Sequence, residues 1–257
     1  MTLLSDTRYI FVRYMRKLIR TPILLFFSLF QPILFLVLFT QLLTRLSNFP
    51  GILPPEVSYL EFATAGILLQ NAFGSALQSG NSIVADIDSG FLQKMLVTPV
   101  SRPAILLGRL SSDAFRVVIQ SAIILGLAYA LGASVTTGVA GILGIFFTLA
   151  FFGLAWSGIS LALGMKTRSS ETVFAIGGVI TFPLLFLSPA LFPISFLPSW
   201  VQTVSMFNPV SYAVNASRAF MINGYDWGTI LPAWGVIGLV ALITMSATLY
   251  QFRKVVS

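Results

Sequence analysis

The chain has 257 residues, of which 56% are hydrophobic and 9% charged, with a formal net charge of +7 and neither Cys nor His. Soluble domains are about 45–50% apolar and about 25% charged, and a globule of this size needs more polar side chains than these to face water, so a soluble enzyme is excluded. Thiol nucleophiles, disulfides, Cys/His zinc sites and histidine proton transfer are excluded with it.

Residues 5–20 read as an interfacial helix. Ser5 is a candidate N-cap, with Asp6 in the first turn. At helical periodicity Ile10, Phe11, Tyr14, Met15 and Leu18 gather on one face, and Arg13, Arg16, Lys17 and Arg20 on the other. An apolar face backed by a basic one lies flat at the headgroups, either as a topology anchor or as a lever that also touches a cytosolic partner.

Charge-free runs follow, from Arg20 to Arg45, Glu61 to Asp86, Arg116 to Lys166, Glu171 to Arg218 and Asp226 to Arg253. A crossing helix needs about 20 apolar residues at about 1.5 Å each. The third run holds two such segments, because Gly132 to Gly138 is a turn-rich break. The first run is too long for the apolar core of a signal peptide, and no small-residue cleavage site follows it. After the fifth segment Pro193, Pro198, Asn208 and Pro209 leave pieces too short to cross, so 193–220 read as short helices that dip into the outer leaflet and return. The sequence therefore predicts an all-α integral membrane protein, one transmembrane domain over 1–257, with spans 22–43, 59–80, 104–131, 139–164, 172–192 and 228–250.

With a cytoplasmic start, only Arg45 and Arg218 of the 15 Lys and Arg fall outside. That is the positive-inside pattern of a multi-pass chain with both termini cytoplasmic. The basic charge is topogenic, and nucleic acid is not expected as a partner. Trp200, Trp227 and Trp234 fall where an aromatic belt at the outer interface would lie.

Within the second span Thr64, Asn71, Ser75, Gln78 and Ser82 recur at helical spacing, bordered by Gln70 and Asn81. Such groups are costly against lipid, so the stripe faces another helix, or lines a transport pathway or a seam between two copies. Gln31, beside Pro32 in the first span, reads the same way. Gly126/Ala130, Gly153/Ser157 and Gly177-Gly178 are expected to allow close helix packing. Asp113 and Arg116 are spaced for a local ion pair at the inner end of the third span. The near absence of other deep charges argues against an ion-coupled carrier.

The segment 86–102 is the largest polar stretch. Asp88 or Ser89 is a candidate cap for a short helix over 88–97, in which Phe91, Leu92, Met95 and Leu96 recur at helical spacing before Thr98-Pro99 ends it. A short apolar helix in the cytosol needs cover, from the membrane surface or from a partner protein. The run Gly90-Phe-Leu-Gln-Lys-Met-Leu-Val-Thr-Pro-Val-Ser-Arg102, followed by Ile105-Leu-Leu-Gly-Arg109, resembles the loop between the second and third spans of type-2 ABC exporter permeases. Leu187-Ser-Pro-Ala-Leu-Phe-Pro193, Leu197-Pro198, Asn208-Pro-Val-Ser-Tyr212 and Arg218 resemble the segment those permeases carry between spans five and six. The resemblance extends over nearly the whole chain and is nearest to the daunorubicin-type drug-resistance permeases; lipid-linked polysaccharide exporters share the layout.

The resemblance implies a working transporter of two permeases, as a homodimer, and two ATPase subunits in the cell membrane. A coupling helix with Asp88, Gly90, Phe91, Leu92, Lys94 and Met95 would sit in a groove of the ATPase. Re-entrant helices with Pro193, Pro198, Asn208, Pro209 and Tyr212 would close the exit. Gln31, Thr64, Asn71, Ser75 and Gln78 would line the pathway or the dimer seam, and the cargo would be a drug-like or lipid-like amphiphile. This chain would bind no cofactor, with ATP and Mg used by its partner. The residues agree independently on the engine: the chain contains no Gly-Lys pair, hence no phosphate loop. An ATP-independent channel or secondary carrier is the alternative; an intramembrane enzyme lacks a plausible catalytic dyad.

Overall fold

The computed structural model describes residues 3–43 and 57–256; Arg45, expected on the outer side, lies outside the described residues. Those residues form ten α-helices and no strand. In chain order they are α1 (Leu3–Arg20), α2 (Pro22–Leu43), α3 (Tyr59–Asp88), α4 (Phe91–Leu96), α5 (Arg102–Ala130), α6 (Gly138–Thr167), α7 (Ser170–Phe186), α8 (Ser199–Ser205), α9 (Pro209–Arg218) and α10 (Trp227–Val256). A 3₁₀ turn at Ile194–Phe196 precedes α8, and a π turn at Ala219–Asn223 follows α9.

Among the described residues four helices are long and apolar enough to cross a membrane, over Leu25–Leu43, Arg102–Ala130, Gly138–Thr167 and Trp227–Lys254. The other two predicted spans differ from these for distinct reasons. α3 has 30 residues, two turns more than 59–80, but carries the polar stripe. It is the central helix, packed by α2, α5, α6, α7 and α9, so protein rather than lipid surrounds it and polar groups are tolerated. α7 has 17 residues and stops at Phe186, short of the predicted 192. Pro183 lacks an N–H for the last turns, and Leu187 N–H closes the helix on the Pro183 carbonyl at 2.8 Å.

Local sequence explains the helix starts. Ser58 and Glu61 form a reciprocal capping box on α3, the Ser58 hydroxyl accepting from Glu61 N–H and the Glu61 carboxylate accepting from Ser58 N–H, both at 3.2 Å. Glu61 also accepts from the Ser134 N–H at 3.0 Å, which pins the α5–α6 turn over the start of α3. Ser5 is not a cap, because α1 already runs from Leu3. Asp6, in that first turn, is buried and accepts from Ser101 N–H at 3.1 Å, at the N-cap of α5.

Two apolar cores stabilise the bundle. The larger lies around the crossing of α3 and α6, where Phe73 meets Phe152 and Trp156 edge-on at ring separations of 4.9 and 4.8 Å. The helices touch backbone to backbone nearby: a Cβ on Gly164 would lie 2.6 Å from the Gly80 carbonyl, and the Ser160 hydroxyl donates to the Ala76 carbonyl. The smaller core joins α1, α4, α5 and the ends of α3, α6 and α10 through Ile10, Tyr14, Leu92, Ile105, Leu161 and Phe252.

Of the three small-residue pairs, Gly153 lies against Val117 and Gly177 against Leu77, as expected. Gly126 and Ala130 instead face outward, and Gly126 has nothing within 4 Å. Exposed Phe26, Phe27 and Phe30 on α2, Phe147 on α6, Phe182 on α7 and Leu242 on α10 give the bundle a hydrocarbon-compatible exterior. Trp200 and Trp227 are exposed as a belt requires. Trp234 turns inward and donates its indole N–H to Thr148 Oγ1 at 3.0 Å, so it packs the core instead of marking an interface.

Candidate functional site

Three sites are strung along α3. At its C-terminal end, α3 runs through Asp88 and Ser89 is its C-cap, so neither residue caps α4. Gly90 occupies that position with φ +67°, a left-handed turn that only glycine adopts without strain. The reversal lays α4 against the bundle, with Leu92 and Met95 buried in the smaller core. Those two residues are therefore unavailable to a partner, in contrast to the sequence expectation, because the apolar face of so short a helix is needed to hold it down. Asp88, Gln93, Lys94 and Val97 are exposed. Phe91 is half-covered by Arg13, whose guanidinium carbon sits 3.4 Å from the ring centroid.

Above α4 a polar network climbs into the bundle. Arg109 is 2% exposed. Its Nη1 donates to Asp86 Oδ2 and to the Tyr14 hydroxyl, both at 2.9 Å, and its Nη2 to the Ser79 carbonyl at 2.8 Å. Tyr14 donates in turn to Asp86 Oδ2 at 2.7 Å. Arg13 and Lys17 approach Asp86 Oδ1 at 3.5 and 3.9 Å, so half of the basic face of α1 answers a carboxylate rather than headgroups. Burial pushes the Tyr14 phenol up to about 12, with Asp86 adding to the shift and Arg109 and Arg13 opposing it. The network continues through Ser79, which donates to Asp113, and the Asp113–Arg116 pair at 3.3 Å. Arg116 donates to the Ser75 carbonyl, Ser75 to Gln120, and Gln120 to Ser28 Oγ at 2.7 Å.

The predicted Asp113–Arg116 pair is thus the local i,i+3 pair expected, but it is not terminal. Arg116 is the midpoint of Arg102–Ala130, and the pair is bonded across to α3. The sequence reading placed Arg109 among topogenic charges, Asp86 in a loop and Tyr14 on a lipid-facing stripe. A signal was present: Arg109, Asp113, Arg116 and Gln120 recur at spacings that put them on one face of α5.

This network forms one wall of a cavity of about 710 Å³ enclosed by α1, α2, α3 and α5. Its volume lies within the range of small-molecule sites, about 300–1,000 Å³. Gln31, Asn71, Ser75 and Gln78, four of the five residues expected on a pathway or seam, line it together. Thr64 does not: it is fully buried, and its hydroxyl is spent on the Leu60 carbonyl at 2.6 Å.

At the other end of α3 a second cavity, about 620 Å³, is lined by Phe62, Pro193, Tyr212 and Arg218 among others. Pro198 and Pro209 start α8 and α9, where a missing N–H costs nothing. Asn208 is 3% exposed, its amide donating to the Leu184 and Leu187 carbonyls at 2.6 and 3.0 Å while its Oδ1 accepts from Val210 N–H. Asn208 is thus a clamp between α7 and α9. Arg218 is likewise buried, donating to the Phe62 and Ala190 carbonyls at 3.2 and 3.0 Å with its guanidinium 3.5 Å from the Phe62 ring centroid. Between Phe62 and Gln70 every residue of α3 is buried, and a Cβ on Gly66 would run into the Ala190 carbonyl. The two cavities are separated by that packed layer.

A helical bundle with an apolar exterior, several helices long and apolar enough to cross a membrane, and internal cavities lined in part by polar groups is a multi-pass membrane protein. Its sequence matches the ABC-2 type transporter family over residues 5–222. It is 30% identical over 229 residues to the daunorubicin resistance ABC transporter permease protein DrrB1 of Streptomyces coeruleorubidus, covering 87% of this chain and 79% of that one. It is 34% identical over 217 residues to the putative transport permease ycf38 of Cyanophora paradoxa, covering 82% and 72%. With the probable multidrug ABC transporter permease YbhR of Escherichia coli (strain K12) it shares 21% identity over 205 residues, covering 78% and 54%. The chain belongs to the ABC-2 type transporter family and is a membrane permease subunit.

Proposed function

We propose that this chain is the membrane subunit of an ATP-driven exporter of drug-like or lipid-like amphiphiles in the cell membrane. It works as a homodimer with two copies of a separate ATPase, which binds the ATP and Mg. The observation that carries the reading is the pair of cavities on α3, one toward each end of the bundle, with the packed layer of 63–69 between them. A pathway that is never open at both ends needs such a barrier, and driving cargo uphill across it requires an input of free energy that biases its two positions.

In this reading six helices cross. α3 does so inside the bundle, and α7, about 26 Å long at 1.5 Å per residue, does so with help from the turns that follow it. Both termini are cytosolic, and 193–220 re-enter from the outer side. The ATPase grips the outer face of α4, Gln93, Lys94 and Val97, and motion of α4 passes to α3 and α5 through the Asp86–Arg109–Tyr14 cluster. Co-expression with the ATPase tests this: the two chains should co-purify, and vesicles holding both should accumulate a fluorescent amphiphile only with hydrolysable ATP. ATP-independent uptake by the permease alone would establish instead the carrier reading, to which the mid-span Asp113–Arg116 pair lends support.

A further inference from the structure

The α1–α2–α3–α5 cavity has a chemical bias. Lys17, Arg109 and Arg116 line it, and among the described residues Asp113 is its one lining carboxylate. With Arg13 and Asp86 just behind the wall, four cations stand against two carboxylates. The buried ions balance, Arg109 with Asp86 and Arg116 with Asp113, so the positive excess comes from Arg13 and Lys17, whose side chains are 32% and 49% exposed. The unmet hydrogen bonds point the same way. Arg109 Nε, Arg116 Nε, Asn71 Nδ2 and Asn81 Nδ2 are buried donors without a partner, while Asn71 and Asn81 are 3% and 8% exposed and line the cavity. Among the described residues only Gln70 Oε1 and Asn81 Oδ1 are unmet acceptors on that lining. From α1 and α2 the lining also takes the apolar Met15, Leu18, Leu25, Phe27 and Pro32, interleaved with Lys17, Thr21, Ser28 and Gln31, and exposed Phe27, Gln31, Gly74 and Gln78 belong to it.

We infer that the cargo held here is an anionic amphiphile. A carboxylate, sulfonate or phosphate head would lie against Arg116, Asn71 and Asn81, supplying acceptors to the unmet donors, and its apolar body would lie along Leu18, Leu25 and Phe27. A cationic amphiphile would bring no acceptor to the buried unmet donors and would meet the positive excess of Arg13 and Lys17, so it would bind more weakly. This inference rests on the exporter reading for the word cargo; the head-group preference stands on the cavity alone.

The two parts are tested separately. The purified full chain, in nanodiscs of zwitterionic phosphatidylcholine, is titrated with a dansyl-labelled undecanoic acid, its methyl ester and the matching trimethylammonium, following dansyl emission. The acid should bind at least tenfold more tightly than either analogue. Arg116→Gln should lower the acid's affinity about tenfold and leave the ester's unchanged, and Arg116→Lys should restore most of the loss. Equal binding of the three probes, or preference for the trimethylammonium, overturns the inference without any variant being needed. In vesicles with the ATPase, ATP-driven movement of the acid supports its role as cargo. A retained acid beside a transported ester or cation makes the cavity a resident-lipid site and overturns that role. If no probe moves with ATP the exporter reading fails, and the nanodisc result still decides the head group.

Discussion

Arg109 holds three helices by one guanidinium, and its energetic position follows from its burial. Taking a charged group out of water is tolerated only while its partners are complete, and removing one partner of a buried pair costs about 3–5 kcal/mol, whereas replacing both is often near neutral. Arg109→Leu should therefore lower the thermal unfolding midpoint in detergent sharply. Arg109→Leu with Asp86→Leu should recover part of the loss, the remainder reflecting Tyr14, Arg13 and Lys17, which also face Asp86. The Tyr14 phenol gives a second handle. Its value in the fold is about 12, above the ordinary tyrosine value of about 10, so its contribution to stability is complete below pH about 10 and is lost as pH rises toward about 12. Difference absorbance of tyrosinate between the native protein and Tyr14→Phe should show this phenol ionising above the ordinary tyrosine range.

The shortest helix makes the clearest distinction between holding and coupling. α4 has one side anchored by Leu92 and Met95 and the other open, with Val97 86% exposed. Leu92→Asp should therefore fail as a folded protein, seen as loss of the monodisperse peak in size exclusion. Lys94→Glu with Val97→Asp should keep the unfolding midpoint and lose ATPase co-purification. Orientation is readable in the same way, because the chain has no native cysteine. Phe207→Cys, at a position 83% exposed, should react with an impermeant maleimide from outside the cell, and Gln93→Cys only from the cytosolic side. Asn208→Cys, one residue on, should react slowly, since that side chain is buried.

At the scale of the whole molecule, the packed layer on α3 sets what has to move in the proposed transport cycle. Both cavities border the same helix, so displacing α3 against α6 and α7 would exchange their access. In the complete complex, Asn71→Cys should react with a small thiol reagent in the absence of nucleotide and become protected when a non-hydrolysable ATP analogue closes the ATPases. Tightening the α3–α6 contact should oppose that motion from a distance. The Gly164 surface leaves no room for a side chain, so Gly164→Ala should either lower the unfolding midpoint or slow transport while leaving probe binding in the nanodisc intact.

Charge-free run length, proline placement and the positive-inside count determined by themselves that this is a helical membrane protein, and they located α2, α5, α6 and α10 to within a few residues. Those signals are legible because hydrocarbon imposes them on each segment separately. The stripe on α3 was legible too, and four of its cavity neighbours came from it and from Gln31-Pro32. What lay hidden was every feature set by a partner distant in the chain: the burial of Arg109, Asp86 and Arg218, the inward face of α4, the clamp at Asn208 and the outward turn of Gly126. A lysine-poor, arginine-rich edge reads as topology in one dimension. Only the packing of α1, α3 and α5 around Arg109 and Arg116 decided that the charges face each other and a cavity, because the cost of a buried ion depends on neighbours that sequence spacing does not specify.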